Sequence, residues 1–292
     1  MKRQDINIRD PYVLVHEGFY YLYGTRSDTA WSRADGFDCY VSRDLSEFDG
    51  PFEIFHRPEG FFADRYFWAP ECYVHDGAFY LVTTFGAENL KQGIYILKAD
   101  CPAGPFSIYS ERLTPEEWNS IDGTLYFEGR TPYLIYSRSQ HGAENGDFVL
   151  TRLSEDLKRA EEEPVTLFQA KDAPWAKPVP FSKEAFQIDE MYFSDGPNAL
   201  QLEDGKVYMI FSSWSINGYA VGTAVSENGI RGPWILQERP LYPENGGHGM
   251  FFRDLAGRLI FTLHSPNDLH MERPNFWTVK LENGTLILDR QI

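Results

Sequence analysis

The sequence is poor in cysteine, in basic charge, in long apolar runs and in helical periodicity. Cys39, Cys72 and Cys101 are the three cysteines of 292 residues. An odd number without metal or redox spacing argues against a disulfide scaffold and reads as reduced thiols packed in strands. Lysine and arginine total 27 against 43 aspartates and glutamates, a formal charge of −16. That balance excludes the basic face that nucleic acid and anionic membranes require, and it disfavours a strongly anionic substrate such as pectate. No apolar run is long enough to cross a bilayer. Met1-Lys2-Arg3-Gln4-Asp5 leads into the first strand-like segment without the apolar stretch of a secretion signal, so a cytoplasmic location is expected. Helical spacing of apolar residues is nearly absent, and Thr114-Pro115-Glu116-Glu117-Trp118 is the clearest short turn.

What is abundant is aromatic residues and glycine-marked turns: 22 Phe, 17 Tyr, 7 Trp and 24 Gly. Tyr12 to Val15 is followed by His16-Glu17-Gly18 and then Phe19 to Tyr23. Cys72 to Val74 leads through His75-Asp76-Gly77 into Ala78 to Val82, and Leu125 to Phe127 leads through Glu128-Gly129-Arg130 into Pro132 to Tyr136. The same pattern recurs at Asp204-Gly205 and at Ala256-Gly257. Two aromatic and β-branched runs joined by a Gly-containing turn specify a β-hairpin. Most units add a third run before a Gly-Pro pair, as in Cys39 to Ser42 before Gly50-Pro51. Units opening at Asp10, Glu71, Asp122, Asp195 and Gly247 are separated by 61, 51, 73 and 52 residues. About four strands repeating at that period predict an all-β, five-bladed β-propeller filling residues 1–292 as a single domain.

Three of these units open on an aspartate: Asp10 before Pro11, Asp122 before Gly123 and Asp195 before Gly196-Pro197. Asp76-Gly77 and Asp204-Gly205 lie inside hairpins, where turn chemistry accounts for them. The other three precede the innermost strand of a blade, where turn chemistry requires no carboxylate. Separated carboxyl groups with different roles are what hydrolysis of a glycosidic bond needs. Phe67 and Trp68 are candidates for a sugar-stacking wall or for packing between blades. Glu71 is a candidate for shaping the pocket, and Arg273 for binding a sugar hydroxyl or pairing with Glu272. Arg130 falls in a hairpin turn and reads as solvated.

The ordered set Arg9-Asp10-Pro11, Gly18-Phe19-Tyr20-Tyr21-Leu22-Tyr23-Gly24-Thr25, Trp68-Ala69-Pro70-Glu71, Ile121-Asp122-Gly123, Asp195-Gly196-Pro197 and Gly246-Gly247-His248-Gly249 resembles glycoside hydrolase family 43. The resemblance spans residues 9 to 249 and implies a five-bladed propeller acting on arabinose- or xylose-containing glycans with inversion. It implies Asp10 as general base, Asp122 as the group that tunes and holds the acid, and Asp195 as general acid. It also implies that His248 faces a hydrated Ca²⁺ or similar cation on the axis, with no organic cofactor. The family's acid is a glutamate before Gly-Pro, and an aspartate there is one methylene shorter. Glu190 in the preceding loop is the alternative acid, and a carbohydrate-binding propeller without catalysis is the alternative of another class.

The expected activity is exo-acting removal of a terminal α-L-arabinofuranosyl unit from small oligosaccharides. β-Xylosidase and β-galactofuranosidase are the alternatives on the same scaffold. The stretch from Pro164 to Met191 reads as a wall closing one side, against the open groove of an endo-acting enzyme. Phosphorolysis ranks below hydrolysis, because Asp10 is retained and the sequence shows no Arg/His/Lys cluster. Nothing in the sequence specifies a subunit count.

Overall fold

The computed structural model describes residues 1–292. Short turns and alternating apolar residues fold the chain into five four-stranded antiparallel sheets, each built from consecutive strands. Blade 1 comprises β1 (Ile8–His16), β2 (Phe19–Arg26), β3 (Gly36–Ser42) and β4 (Phe48–His56). Blade 2 comprises β5 (Arg65–His75), β6 (Ala78–Ala87), β7 (Leu90–Ala99) and β8 (Ser107–Ile108). Blade 3 comprises β9 (Ser120–Glu128), β10 (Thr131–Arg138), β11 (Asp147–Arg152) and β12 (Val165–Gln169). Blade 4 comprises β13 (Asp195–Gln201), β14 (Val207–Ser215), β15 (Gly218–Ser226) and β16 (Ile235–Leu236). Blade 5 comprises β17 (Gly247–Arg253), β18 (Leu259–Ser265), β19 (Arg273–Glu282) and β20 (Thr285–Gln291). The first strands pack on one another in a ring: β1 on β5 and β17, β13 on β9 and β17, β5 on β9. This is the five-bladed propeller that the hairpin repeat predicts.

The hairpin turns follow their chemistry. Glu17 and Gly18 have φ of 48° and 79°, and Asp76 and Gly77 have φ of 45° and 77°. Two successive left-handed residues match the twist of the flanking strands. The core lies between blades as separate wedges. Tyr23, Phe37, Phe67 and Phe85 pack in the largest, between blades 1 and 2, and Phe148, Phe168 and Phe211 fill that between blades 3 and 4.

Every first strand carries a one-residue bulge at the same register. Arg9 pairs with Thr25 and Tyr12 with Tyr23; Trp68 pairs with Thr84 and Glu71 with Val82. Ile121 pairs with Ser137 and Thr124 with Ile135; Asp195 pairs with Ser212 and Asn198 with Ile210; Gly247 pairs with His264 and Met250 with Thr262. The residues left at the bulge are Asp10, Ala69, Asp122, Gly196 and His248, all left-handed with φ of 54°, 46°, 59°, 49° and 47°. A bulge turns its extra residue out of the ladder and re-aims its side chain.

This register corrects the equivalence drawn from sequence. Asp10 and Asp122 are true counterparts. Asp195 stands one residue earlier, level with Arg9, Trp68, Ile121 and Gly247. Glu71 stands two residues beyond the bulge, deeper in the ring, and Ala69 holds the position expected for it.

Candidate active site

The residues opposite the five bulges form a clasp between neighbouring blades. The Ala69 N–H donates to Thr25 Oγ1 (2.8 Å) and the Asp122 N–H to Thr84 Oγ1 (3.1 Å). The His248 N–H donates to Ser212 Oγ (2.8 Å), and the Asp10 N–H donates to His264 Nδ1 (3.1 Å). In each case a side chain of one blade caps the bulge of the next. The junction between blades 3 and 4 differs. The Gly196 N–H donates to Asp122 Oδ2 (3.0 Å), and the Ser137 hydroxyl, fully buried, has no partner.

This clasp gathers the expected carboxylates at one end of the ring. His248 Nδ1 lies 3.3 Å from Asp10 Oδ1 and 3.5 Å from Asp122 Oδ2. Thr25 donates to Asp10 Oδ2 at 2.6 Å. The Tyr219 hydroxyl donates to Asp195 Oδ2 at 3.0 Å. Because His264 Nδ1 accepts from the backbone, its Nε2 carries the proton and donates to Asn267 Oδ1 (3.1 Å).

The electrostatics separate the three aspartates. Burial pushes Asp10 upward, but His248, the Arg9 guanidinium, His264 and the Thr25 hydroxyl outweigh it and hold the carboxyl below its usual value. Burial pushes both imidazoles toward the neutral form, His264 to about 3. The lasting support for the Asp10 anion is therefore the Arg9 charge and the Thr25 bond. Asp195 is raised to about 7, by burial first and by Asp10, against the Tyr219 bond and Arg9. Asp122 is raised well above the carboxylate range by burial, then by Asp195 and Asp10. Near neutrality Asp10 is thus ionised and Asp122 protonated while Asp195 changes over, and Asp122 and Asp195 titrate as a pair.

Several expected residues take other places. Phe67 is buried among Phe37, Phe55, Phe61 and Phe85 and serves packing between blades, because its neighbour Trp68 occupies the outward face of the alternation. Trp68 is partly exposed, donates its indole N–H to Ala30 O (2.6 Å) and meets Trp31 and Tyr66 edge-on. Glu71 is buried, accepts from Tyr73 and is raised by burial to about 8. Arg273 bonds Gln4 O (2.8 Å) and Glu272 O (2.7 Å), which ties it to the N-terminal segment. Glu190 is exposed and 3.8 Å from Lys171, apart from the buried carboxyls.

Arg9, Tyr219, Thr25 and His264 complete the site and were not singled out from sequence. Arg9, level with Asp195 in the blade register, bonds Glu272 Oε1 (2.6 Å) and Asn267 Oδ1 (2.8 Å). The fold therefore does assemble Arg9, His248 and His264 around Asp10, a cluster that the linear sequence hides. Its one permanent charge is paired with fully buried Glu272. No group of three or more His, Cys, Asp or Glu side chains is arranged to hold a metal ion. Ca²⁺ takes six to eight oxygens, so a hydrated ion facing His248 would draw them chiefly from water.

The segment between blades 3 and 4 is folded. Its helix α1 (Ser182–Phe186) covers a small core of Val179, Ile188 and Met191. Phe181 and Phe193 pack edge-on against Trp214, which adjoins Tyr219. Of the stretch from Pro164 to Met191, Val165–Gln169 is β12 of blade 3, because it continues the β11 ladder, and the remainder packs through Trp214 on the Tyr219 side.

A five-bladed ring with buried carboxyls at one end defines a class of carbohydrate-active propellers, and comparison with known proteins agrees. The family model of glycosyl hydrolases family 43 matches residues 5–279, and the chain belongs to this family. An endo-arabinase from Bacteroides thetaiotaomicron superposes with a TM-score of 0.89 at 33% identity, covering 98% of each chain. An endo-1,4-beta-xylanase from the same organism gives a TM-score of 0.73 at 23% identity over 98% of this chain and 95% of that one, a likeness of fold. An extracellular exo-alpha-(1->5)-L-arabinofuranosidase of Cellvibrio japonicus is 25% identical over 164 residues, 52% of this chain and 44% of that relative. The match therefore spans less than half the relative's length.

Proposed function

We propose that the protein is an inverting, exo-acting α-L-arabinofuranosidase working on oligosaccharides. The observation that carries this reading is the divergence of two buried carboxyls in one site: Asp10 held below its usual range and Asp195 raised to about 7. Paired titratable groups pushed apart mark a base and an acid. Asp10, ionised, takes a proton from the water that attacks the anomeric carbon. Asp195, protonated, gives its proton to the leaving glycosidic oxygen as that bond breaks. Asp122 accepts the Gly196 N–H and so holds the backbone beside the acid. A hydrated cation on the axis would face His248 and be held through water.

Trp68 and Trp31 supply an aromatic face on the Asp10 side, and the folded 170–194 segment supports a closed, exo-acting pocket on the other. The paired Arg9 charge supports a neutral sugar over a phosphate or uronate. An endo-acting arabinanase is the second reading, favoured by the similarity to the Bacteroides endo-arabinase.

The test is incubation with p-nitrophenyl α-L-arabinofuranoside, β-D-xyloside and β-D-galactofuranoside, and with linear α-1,5-arabino-oligosaccharides. Release of free arabinose from the chain end, with turnover of the first aryl glycoside, is expected. Internal cleavage to shorter oligosaccharides would replace the exo reading with the endo one. Silence on every substrate would overturn the hydrolase reading.

A further inference from the structure

We infer that Tyr219 positions the general acid: its hydroxyl fixes the Asp195 carboxyl and decides which oxygen carries the catalytic proton. This rests on the role proposed above for Asp195. Tyr219 enters from β15, paired with Trp214 of β14, and its hydroxyl donates to Asp195 Oδ2 at 3.0 Å. The ring has one orientation available. It stacks on His264 with centroids 5.9 Å apart and planes 22° apart. It also lies against Gly247, where a Cβ would stand 2.1 Å from the ring. Any larger residue at 247 would push the ring away.

With Oδ2 occupied as an acceptor, the proton of the acid is left to Oδ1. The hydroxyl keeps its own proton, since burial, then Asp195, Asp122 and Asp10, push Tyr219 well above the usual phenol range. When Asp195 Oδ1 releases its proton to the leaving oxygen, the Tyr219 bond becomes a hydrogen bond to a carboxylate, roughly twice as strong as before. The hydroxyl therefore stabilises the transition state more than the ground state. Asp195 is one methylene shorter than the family's glutamate, so a fixed orientation matters more here. Asp10 and Arg9 face it from blade 1 and Asp122 from blade 3, while His264 backs the Tyr219 ring from blade 5.

The experiment compares wild type, Tyr219→Phe and Gly247→Ala on three α-L-arabinofuranosides: the α-1,5-disaccharide, the p-nitrophenyl glycoside and the glycosyl fluoride. Fluoride departs with little need of an acid. In Tyr219→Phe, kcat on the disaccharide is expected to fall roughly 10- to 100-fold, the range of one hydrogen bond to a charged group. The aryl glycoside should lose less, and the fluoride should stay within about twofold. Removing a bond that favours the ionised acid should also move the alkaline limb of the pH profile upward. Gly247→Ala, which displaces the ring without touching the hydroxyl, should reproduce the same leaving-group dependence. An equal loss on all three substrates, or an unmoved alkaline limb, would overturn the inference while leaving the hydrolase reading intact. Wild type inactive on all three would overturn the arabinofuranosidase reading, and this one with it.

Discussion

At the scale of single residues, burial decides which carboxyl holds a proton, and neighbours correct it. Asp10 and Asp122 occupy equivalent bulges yet titrate in opposite directions, because Asp10 has Arg9 and Thr25 while Asp122 faces two other carboxyls. The pH profile of kcat/KM should be bell-shaped. Activity falls on the acid side as Asp10 gains its proton, below the ordinary aspartate range, and on the alkaline side as Asp195 loses its proton near about 7. Asp10→Asn should lower kcat by about 10²–10⁴ and leave sugar binding measurable by calorimetry, as expected for loss of a general base. Glu71 makes a separate case, since burial raises it to about 8. Its folded value lies above its unfolded one, so its contribution is fully present below about pH 4.5 and is lost as pH rises through 8. Glu71→Gln should therefore flatten part of the fall in stability across that window. Relative to its own value at pH 5, the variant should hold on the order of a few kcal/mol more stability than wild type at pH 8.5. Urea midpoints at the two pH values measure this, and parallel losses in both proteins would refute it.

At the scale of elements, the bulge and the clasp behind it set the geometry of the site. The hairpins were legible in sequence because their turns demand Gly or Asp and their strands are aromatic. The bulge was not, since one inserted residue leaves no compositional mark. Counting from carboxylates therefore placed Asp195 level with Asp10 and gave Glu71 the position of Ala69. Asp10, Asp122 and Asp195 could be found because they sit beside Pro or Gly at strand starts. Tyr219 and His264 lie on the third strand of blade 4 and the second of blade 5, which look like any other, and three-dimensional register brings them in. That register yields a prediction at the junction between blades 3 and 4. Four blades cap the next bulge with a side chain, whereas Ser137 is left unpaired because Asp122 takes the Gly196 N–H. In Asp122→Ala that N–H is free, and Ser137 stands where its counterparts make the clasp. Ser137→Ala alone should be neutral or slightly stabilising, because it removes an unsatisfied hydroxyl. In the Asp122→Ala background the same change should cost about 1–3 kcal/mol, the penalty of a buried unpaired donor. A double-mutant cycle in urea reads the coupling directly, and additive effects would show that Ser137 does not reach the bulge.

At the scale of the whole molecule, the ring must close between blade 5 and blade 1 without a shared strand, since every sheet is built from one continuous segment. Polar contacts near the ends of the chain make that closure. Arg3 bonds the Ile292 carbonyl and lies over the Phe276 ring. Asn7 donates to Glu272 O (2.8 Å), and the Asp10 N–H reaches His264 from across the seam. Glu272 is the centre of it: fully buried, it accepts from Arg9 (2.6 Å) and from Ser27 (2.9 Å). The same ion pair balances the charge of Arg9, so closure of the ring and the surroundings of Asp10 depend on one carboxylate. Breaking a buried pair by removing one partner leaves an uncompensated charge and costs about 3–5 kcal/mol. Glu272→Ala should therefore destabilise the protein by that amount, with Arg9 left unpaired beside Asp10. Replacing both partners, as in Arg9→Met with Glu272→Leu, should recover much of the loss in stability without restoring activity, because Asp10 would lose its cation. Chemical denaturation of the three variants, alongside their pH profiles, separates the two roles. A double variant as unstable as Glu272→Ala would mean that the seam depends on the shape of these side chains and not on their charge.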